Sequence, residues 1–248
     1  MPDPAPERSV LPLSEALRVL GTGELQPLGL MPGASNFTFL AEVCDGDTGV
    51  KALVIYKPRS GESPLWDFPD GTLCRREVAA YVLSSSLGWP SIPPTVLRQG
   101  PHGPGSVQLF VDAEQDEHYF TLREARLDDF APVAAFDVVA NNADRKSGHC
   151  LVDAGGDLWF VDHGVCFHTE PKLRTVIWEF AGEPVPEDLR ARLRTIAEEL
   201  RDGPLRTAMT QLLSPAEVDA AARRARLLAR SGRYPLPSSR RPYPWPPV

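Results

Sequence analysis

Two stretches of this sequence carry residue types that could do chemistry together. They are Phe136–Leu151, FDVVANNADRKSGHCL, and Leu158–Phe167, LWFVDHGVCF. The first passes from apolar to polar and charged and back to apolar. The second is an apolar run ending on Asp162, followed by His163 and Gly164. Between them, Asp153-Ala-Gly-Gly-Asp157 has the composition of a turn. A hairpin of Cys150–Val152 and Leu158–Val161 then brings Asp144 and Asp162 to one end of a small sheet. Two carboxylates there, with Asn141, Arg145 and His149 nearby, suggest a site for a metal ion and phosphate.

The elements that must complete such a site lie upstream. Ala52–Tyr56 reads as an apolar strand with Lys57 and Pro58 at its end. A cation at the end of a buried strand needs a counter-ion or a ligand, unless its stem carries it to water. The other three lysines, Lys51, Lys146 and Lys172, read as exposed. Leu73–Leu87 reads as a helix closed by Gly88, with Val78, Tyr81, Val82 and Leu87 as its apolar face and Glu77 at the edge. A Glu there could hold a phosphate-binding lysine in place, or face solvent beside Arg75 and Arg76.

The rest of the N-terminal half reads as β-rich. Leu11–Leu20 has helical spacing, with Ser14 as a possible cap. Glu24–Leu30 and Phe37–Val43 are strands joined by the small-residue turn Gly33-Ala-Ser-Asn-Phe37, and Asp45-Gly-Asp-Thr-Gly49 is a hairpin signal. Small residues in a turn let backbone N–H groups approach phosphates, although a turn with one Gly also fits an ordinary hairpin. Thr95–Arg98 and Val107–Val111 are short strands around a Gly100–Gly105 turn, and the second could present backbone to an adenine edge. Downstream the pattern is helical: Thr121–Ala140 with a break near Asp128–Pro132, then Pro186–Arg201, amphipathic through Leu189, Leu193, Ile196, Ala197 and Leu200. Leu205–Leu213 and Ser214–Arg230 follow, the latter opened by Ser214, Pro215 and a capping Glu217. Residues 231–248 are Pro-rich with Tyr and Trp. They read as an extended, disordered tail that could instead wrap the domain or bind a protein.

Composition narrows the class. The 248 residues suit one large domain or two lobes around a cleft. A formal charge of −7 argues against general nucleic-acid or acidic-membrane binding. The four cysteines (Cys44, Cys74, Cys150, Cys166) show no metal-ligand spacing, which suits a reduced, cytoplasmic protein. The first residues, MPDPAPERSV, lack the pattern of a signal peptide, and no apolar run reaches the roughly 18 residues of a membrane span.

Five ordered blocks, VIYKPRSGESP, REVAAYVL, GSVQLFV, NNADRKSGHCL and VDHGVCF, resemble the phosphatidylinositol 3-/4-kinase-like family. They are most similar to the type II phosphatidylinositol 4-kinases, and the Arg- and Ala-rich sequence resembles actinobacterial members. The resemblance covers roughly residues 30–170. It implies an α+β, two-lobed protein-kinase-like fold: a β-rich, nucleotide-binding N-lobe over residues 1–111, a mainly helical C-lobe over 112–232 and a Pro-rich tail over 233–248. It implies transfer of the γ-phosphoryl of ATP, with Mg²⁺ or Mn²⁺, to a hydroxyl acceptor that is a lipid, a protein or a small molecule. By the same resemblance, Lys57 contacts the α/β-phosphates and pairs with Glu77, Ser35 and Asn36 cover the phosphates, and Gln108, Leu109, Phe110 and Val111 hold the adenine. Asp144 handles the acceptor hydroxyl, Arg145 supports the loop or the transferred phosphoryl, and Asp162 chelates the metal. His149 stands where the family usually has a metal-binding Asn, and an imidazole prefers softer ions than Mg²⁺. The cysteine-rich, palmitoylated insert of the type II enzymes is absent. Three alternatives stand beside the kinase reading: a nucleotide-binding regulatory module without transfer, nucleotidyl transfer on the same fold, and a metal-dependent hydrolase using Asp144, His149, Asp162 and His163.

Overall fold

The computed structural model describes residues 12–33, 36–238 and 241–248. The chain is α+β: an antiparallel sheet in the N-terminal region, then helices. The sheet contains β1 (Glu24–Leu30), β2 (Phe39–Cys44), β3 (Lys51–Pro58), β4 (Thr95–Gly100) and β5 (Gly103–Leu109) in the order β1-β2-β3-β5-β4. Every neighbouring pair is antiparallel. The β2–β3 turn closes because Asp45 Oδ1 accepts from the backbone N–H of Asp47 and Thr48, the local bonding that favours Asp in turns.

One face of the sheet is covered by α1 (Leu13–Thr22). Its Val19 and Leu20 bury against Leu25, Ala41, Val43, Val54, Tyr56 and Val107. The helix starts at Leu13 with Pro12 at its N-cap, so Ser14 lies inside it and caps nothing. Because side chains alternate along a strand, Val54 and Tyr56 point into this core, while Leu53, Ile55 and Lys57 line the opposite face.

The sheet differs from the sequence expectation at β4 and β5. β5 ends at Leu109, although Phe110 N–H still donates to the Leu53 carbonyl, and both strands run into the stretch read as a turn. The reason is backbone crowding. A Cβ on Gly105 would lie 2.4 Å from the Lys57 carbonyl oxygen, and one on Gly100 would lie 2.7 Å from the Tyr56 ring. These glycines serve close strand packing rather than a loop.

Helix α2 (Leu73–Leu87) sits on the Lys57 face and ends at Gly88, whose φ of 82° is the left-handed conformation that suits glycine. Ala79, Ala80, Tyr81, Leu83 and Leu87 belong to the large core formed with the C-terminal helices rather than to the small core under α1. That core also takes in α3 (Tyr119–Arg126), α4 (Ala131–Ala140), the hairpin β6 (Cys150–Val152)–β7 (Leu158–Phe160), α5 (Glu187–Arg201), α6 (Pro204–Thr210) and α7 (Pro215–Ser231). The break expected near Asp128–Pro132 is a 3₁₀ turn at Leu127–Phe130. The five apolar residues named for α5 are all buried. Helix α7 opens with the expected capping box: Ser214 Oγ accepts from Glu217 N–H while Glu217 accepts from Ser214 N–H.

The structure adds one tie that was not foreseen and corrects one reading. Arg76 is only 1 % exposed. It donates to the Cys166 carbonyl at 2.7 Å and to Glu217 at 2.5 Å, so it ties α2 to the start of α7. The Pro-rich tail is docked over its described residues. Tyr234 is buried and donates to the Ala131 carbonyl, and the Pro242 and Pro247 carbonyls accept bonds from the domain. Proline stiffness lowers the entropy lost on docking. Among the described residues, no helix is long and apolar enough to cross a membrane.

Glu217 serves both as the Arg76 partner and as the α7 cap. Glu217→Ala therefore leaves a buried guanidinium unpaired, and the expected loss is about 3 kcal/mol of unfolding free energy in urea titration. A change below about 1 kcal/mol would show that the cross-link does not stabilise the fold.

Candidate functional site

The end of β3 carries Lys57 to the junction between the sheet and the helical region. Its ammonium pairs with Glu77 of α2 and, at 2.9 Å, with Asp162 Oδ1, which follows β7. Glu77 is 3 % exposed, and its second oxygen accepts from the His163 backbone N–H at 2.9 Å. One carboxylate thus joins β3, α2 and the segment after β7. The position of α2 is fixed by a residue the sequence reading missed. Glu62 accepts from the N–H groups of Leu73 and Cys74, at 3.0 and 2.8 Å, so it caps the helix from eleven residues away. An anion at a helix N-terminus satisfies free N–H groups and the dipole together.

The loop bearing Asp144 rests on a second buried network. Arg145 is 0 % exposed and clamps Asp137, itself 0 % exposed, with Nε and Nη2 each 3.0 Å from a carboxylate oxygen. Its Nη1 donates to the Val161 carbonyl, and its Nη2 lies 2.6 Å from His163 Nε2. Of the two roles expected for Arg145, this enclosure leaves loop support, because the guanidinium reaches no open surface. Asn142 donates to Asp137 and accepts from Asp144 N–H, while Asn141, with a φ of 52°, ties down the carbonyls of His168 and Glu170. Asp137 had a legible signal: a lone carboxylate inside the apolar run AAFDVVA must be paired if that run is buried.

The hairpin expected from the opening motif forms, with Cys150 paired to Phe160 and Asp153 accepting from Gly155 N–H, Asp157 N–H and Trp159 Nε1. Asp162 leaves it with a φ of 60°, a left-handed conformation that costs a non-glycine residue of order 1 kcal/mol. His149 opens toward Asp162, with Nε2 3.3 Å from Oδ2. Its Nδ1 accepts from Lys146 N–H at 3.3 Å, so the neutral ring carries its proton on Nε2, the nitrogen that faces Asp162. Lys146 pairs with Asp144 at 3.4 Å and Lys172 with Asp67 at 2.8 Å, so only Lys51 of the three lysines read as exposed is fully so.

The other named positions are less convergent. Ser35 lies outside the described residues. The Asn36 side chain is committed, its Oδ1 accepting from Ser63 N–H at 2.7 Å. Gln108 is buried and donates to Thr95. The N–H groups of Leu109 and Phe110 are taken by the carbonyls of Pro94 and Leu53. Val111 N–H is the donor of that segment left without a partner among the described residues.

The electrostatics set distinct roles. Burial pushes Lys57 down, but Asp162 and Glu77 outweigh it and hold the ammonium charged. Lys57 in turn holds Asp162 well below the usual carboxylate range, while burial and the neighbouring Asp162 charge push Glu77 up. Burial, helped by Asp162 and opposed by Lys146, raises Asp144 to about 6. Burial lowers His149 to about 4, so it is neutral at neutral pH. No cluster of three or more His, Cys, Asp or Glu able to hold a metal ion exists among the described residues. His163 faces Arg145 from a fully buried position, which removes it from the ligand set the hydrolase reading requires. Half-exposed Asp162 instead could hold an ion such as Mg²⁺, which takes one or two carboxylates and completes its shell from water and substrate oxygens.

The fold and site therefore define an α+β protein in which a Lys–Glu–Asp cluster and a second Asp meet between an antiparallel sheet and a helical region. The chain is 40 % identical to Protein Rv2133c of Mycobacterium tuberculosis (strain ATCC 25618 / H37Rv), over 92 % of its own length and 94 % of that protein's, and belongs to the same family. It is 29 % identical to phosphatidylinositol 4-kinase gamma 4 of Oryza sativa subsp. japonica over 49 % of its length, spanning a quarter (25 %) of that protein. Among solved structures it is similar to the Helicobacter pylori proinflammatory kinase CtkA, with a TM-score of 0.48 and 13 % identity over 87 % of this chain and 94 % of that one. No family model matches the sequence.

Two outcomes follow for variants. Asp137→Ala leaves Arg145 as an uncompensated buried charge and should lower stability by about 3–5 kcal/mol in urea titration. Asp144 behaves oppositely. Its native pKa of about 6 lies above the ordinary 3.8, so the native state binds the extra proton between those values and stability falls as pH rises through that window. Asp144→Asn should raise stability at pH 8 by about 1–2 kcal/mol, allowing for partial exposure. The gain should vanish below about pH 4, where both states are protonated. A loss at pH 8 would contradict the burial of that charge.

Proposed function

We propose that the chain is an ATP-dependent phosphotransferase of two-lobed, kinase-like fold that moves the γ-phosphoryl group to an unidentified hydroxyl. The observation that carries this reading is Lys57, held between Glu77 and Asp162 from opposite sides of the sheet–helix junction. A lysine positioned by a helical Glu and adjoining a metal-binding Asp is the arrangement phosphoryl transfer uses to neutralise phosphate charge. The partial similarity to phosphatidylinositol 4-kinase gamma 4 supports the same class.

In this reading the nucleotide lies under the Lys57 face of the sheet. Leu40 and Ile55 are paired across β2 and β3 there, and with Leu53 they offer a partly exposed apolar ceiling for a base. Val111 N–H reads the adenine edge. Lys57 binds phosphate oxygens, and Glu77 keeps its ammonium in place. Asp162, with His149 Nε2 at 3.3 Å from its second oxygen, would hold the divalent ion, which when bound neutralises charge on the β- and γ-phosphates. Asp144 orients the acceptor hydroxyl and takes its proton, while Arg145 keeps that loop rigid from behind. A carboxylate raised toward neutrality is a better proton acceptor than an ordinary surface Asp.

His149 favours one second reading, a nucleotide-binding module without transfer, since its Nε2 carries a proton where a metal ligand is expected.

ATP with Mg²⁺ or Mn²⁺ should raise the Tm in a concentration-dependent way, and Asp162→Ala should remove the metal-dependent part. In a turnover screen with lipid, peptide and small-molecule acceptors, Asp144→Asn should lower kcat by about 10²–10⁴-fold with little change in the KM for ATP. For the native chain, kcat/KM should fall as pH drops through about 6. A nucleotide shift without any turnover selects the second reading, and no shift with either metal overturns both.

A further inference from the structure

The carbonyls of the Pro-rich segment Pro242–Val248 accept three hydrogen bonds from the domain, two from backbone N–H groups and one from a Trp side chain. The Pro242 carbonyl accepts from Thr175 N–H at 3.0 Å and from Trp178 Nε1 at 3.1 Å. The Pro247 carbonyl accepts from Ser147 N–H at 2.9 Å. Ser147 lies between Asp144 and His149 and is 0 % exposed. Thr175 follows Arg174, which bonds both sides of the same loop: its N–H donates to the Asn142 carbonyl and its carbonyl accepts from Arg145 N–H. The two anchor points of the tail therefore grip the two strands of chain that frame Asp144.

The chemistry of the segment suits a fixed brace. Prolines 242, 244, 246 and 247 have no N–H to satisfy, offer carbonyl acceptors and lose little freedom on docking. Pro244, between the anchors, is buried, whereas Tyr243 is 54 % and Trp245 89 % exposed. A segment plugging a cleft as a substrate mimic would bury its bulky side chains; this one buries a proline and leaves the aromatics outside.

We infer that residues 242–247 are a positioning strap that holds Ser147 and Thr175 in register and so sets the geometry of Asp144 on the acceptor side of the site. The catalytic part of this inference rests on the proposed phosphotransfer, and the structural part does not.

The test uses the full chain carrying Pro244→Asp, which puts a charge at the buried contact and detaches the strap. Amide hydrogen exchange at Ser147 and Thr175 should quicken by at least about tenfold, with exchange in α5 and α7 unchanged. Where the native chain turns over ATP, kcat should fall by about tenfold or more with the KM for ATP within about twofold. A synthetic peptide PYPWPPV added in trans should restore both. Trp178→Phe, which removes one donor to Pro242 and leaves a smaller aromatic ring, should quicken exchange at Thr175 more than at Ser147, and serves if Pro244→Asp misfolds. Unchanged exchange in both variants overturns the strap. Unchanged or increased kcat, or inhibition by the peptide, overturns its positioning role. Faster exchange in a chain whose native form shows no turnover upholds the strap and sinks the phosphotransfer reading instead.

Discussion

The molecule is organised around one ammonium group shared by two carboxylates. Lys57 comes from the sheet, Glu77 from a helix buried on nearly all sides and Asp162 from the segment after the small hairpin. Removing charges from water is unfavourable unless each finds its opposite, and a carboxylate as enclosed as Glu77 depends on its Lys57 partner. The pairing thus constrains where α2 can sit relative to β3. The Glu77 bond to His163 N–H extends the constraint to Asp162. Glu62 at the start of α2 and Arg76 one residue before Glu77 fix the helix from two further directions. Position along the helix axis, rotation about it and contact with α7 are each set by a separate polar bond.

The Asp137–Arg145–His163 network does for the Asp144 loop what the lysine pairing does for α2. Burial of a full Arg–Asp pair contributes little net stability, because desolvation offsets most of the attraction. What it supplies is geometry. A planar guanidinium reaching Asp137, the Val161 carbonyl and His163 allows one arrangement of three chain segments. The two networks meet at His163, whose backbone N–H binds Glu77 and whose ring faces Arg145. A shift in either is felt by the other through a single residue.

Much of this was legible in the sequence, and what was missed has a common cause. The strands, the amphipathic α5, the Ser214–Glu217 cap and the hairpin around Asp153–Asp157 follow from local periodicity and turn chemistry, which a single sequence displays. Lys57 and Glu77 were legible because a charge at the edge of an apolar run stands out. Glu62, Arg76 and Asp137 were not singled out, because their partners lie at residues 73–74, 217 and 145. Distance along the chain hides a pairing even when burial makes it obligatory. The β4–β5 hairpin was shortened for a different reason. Gly100 and Gly105 look like turn residues in a sequence, and only the neighbouring strand shows that they are there to let the backbone of Lys57 and the ring of Tyr56 come close. The tail was misread because proline content was taken as disorder, when its carbonyls had donors waiting at Ser147, Thr175 and Trp178.

Burial pushes both remaining ionisable groups of the site toward neutrality: Asp144 upward and His149 downward. Asp162 stays ionised, half-exposed and held by Lys57. Lys57 lies against Glu77 and Asp162, and Lys146 against Asp144, with Arg174 close enough to act on Asp144. Both lysines are thus already paired with carboxylates, which leaves neither free for a triphosphate carrying several negative charges. Under the phosphotransfer reading, the nucleotide would therefore arrive with its own divalent counter-ion. Asp162 is the carboxylate placed to receive it, because its side chain is the more solvent-accessible of the two that share Lys57.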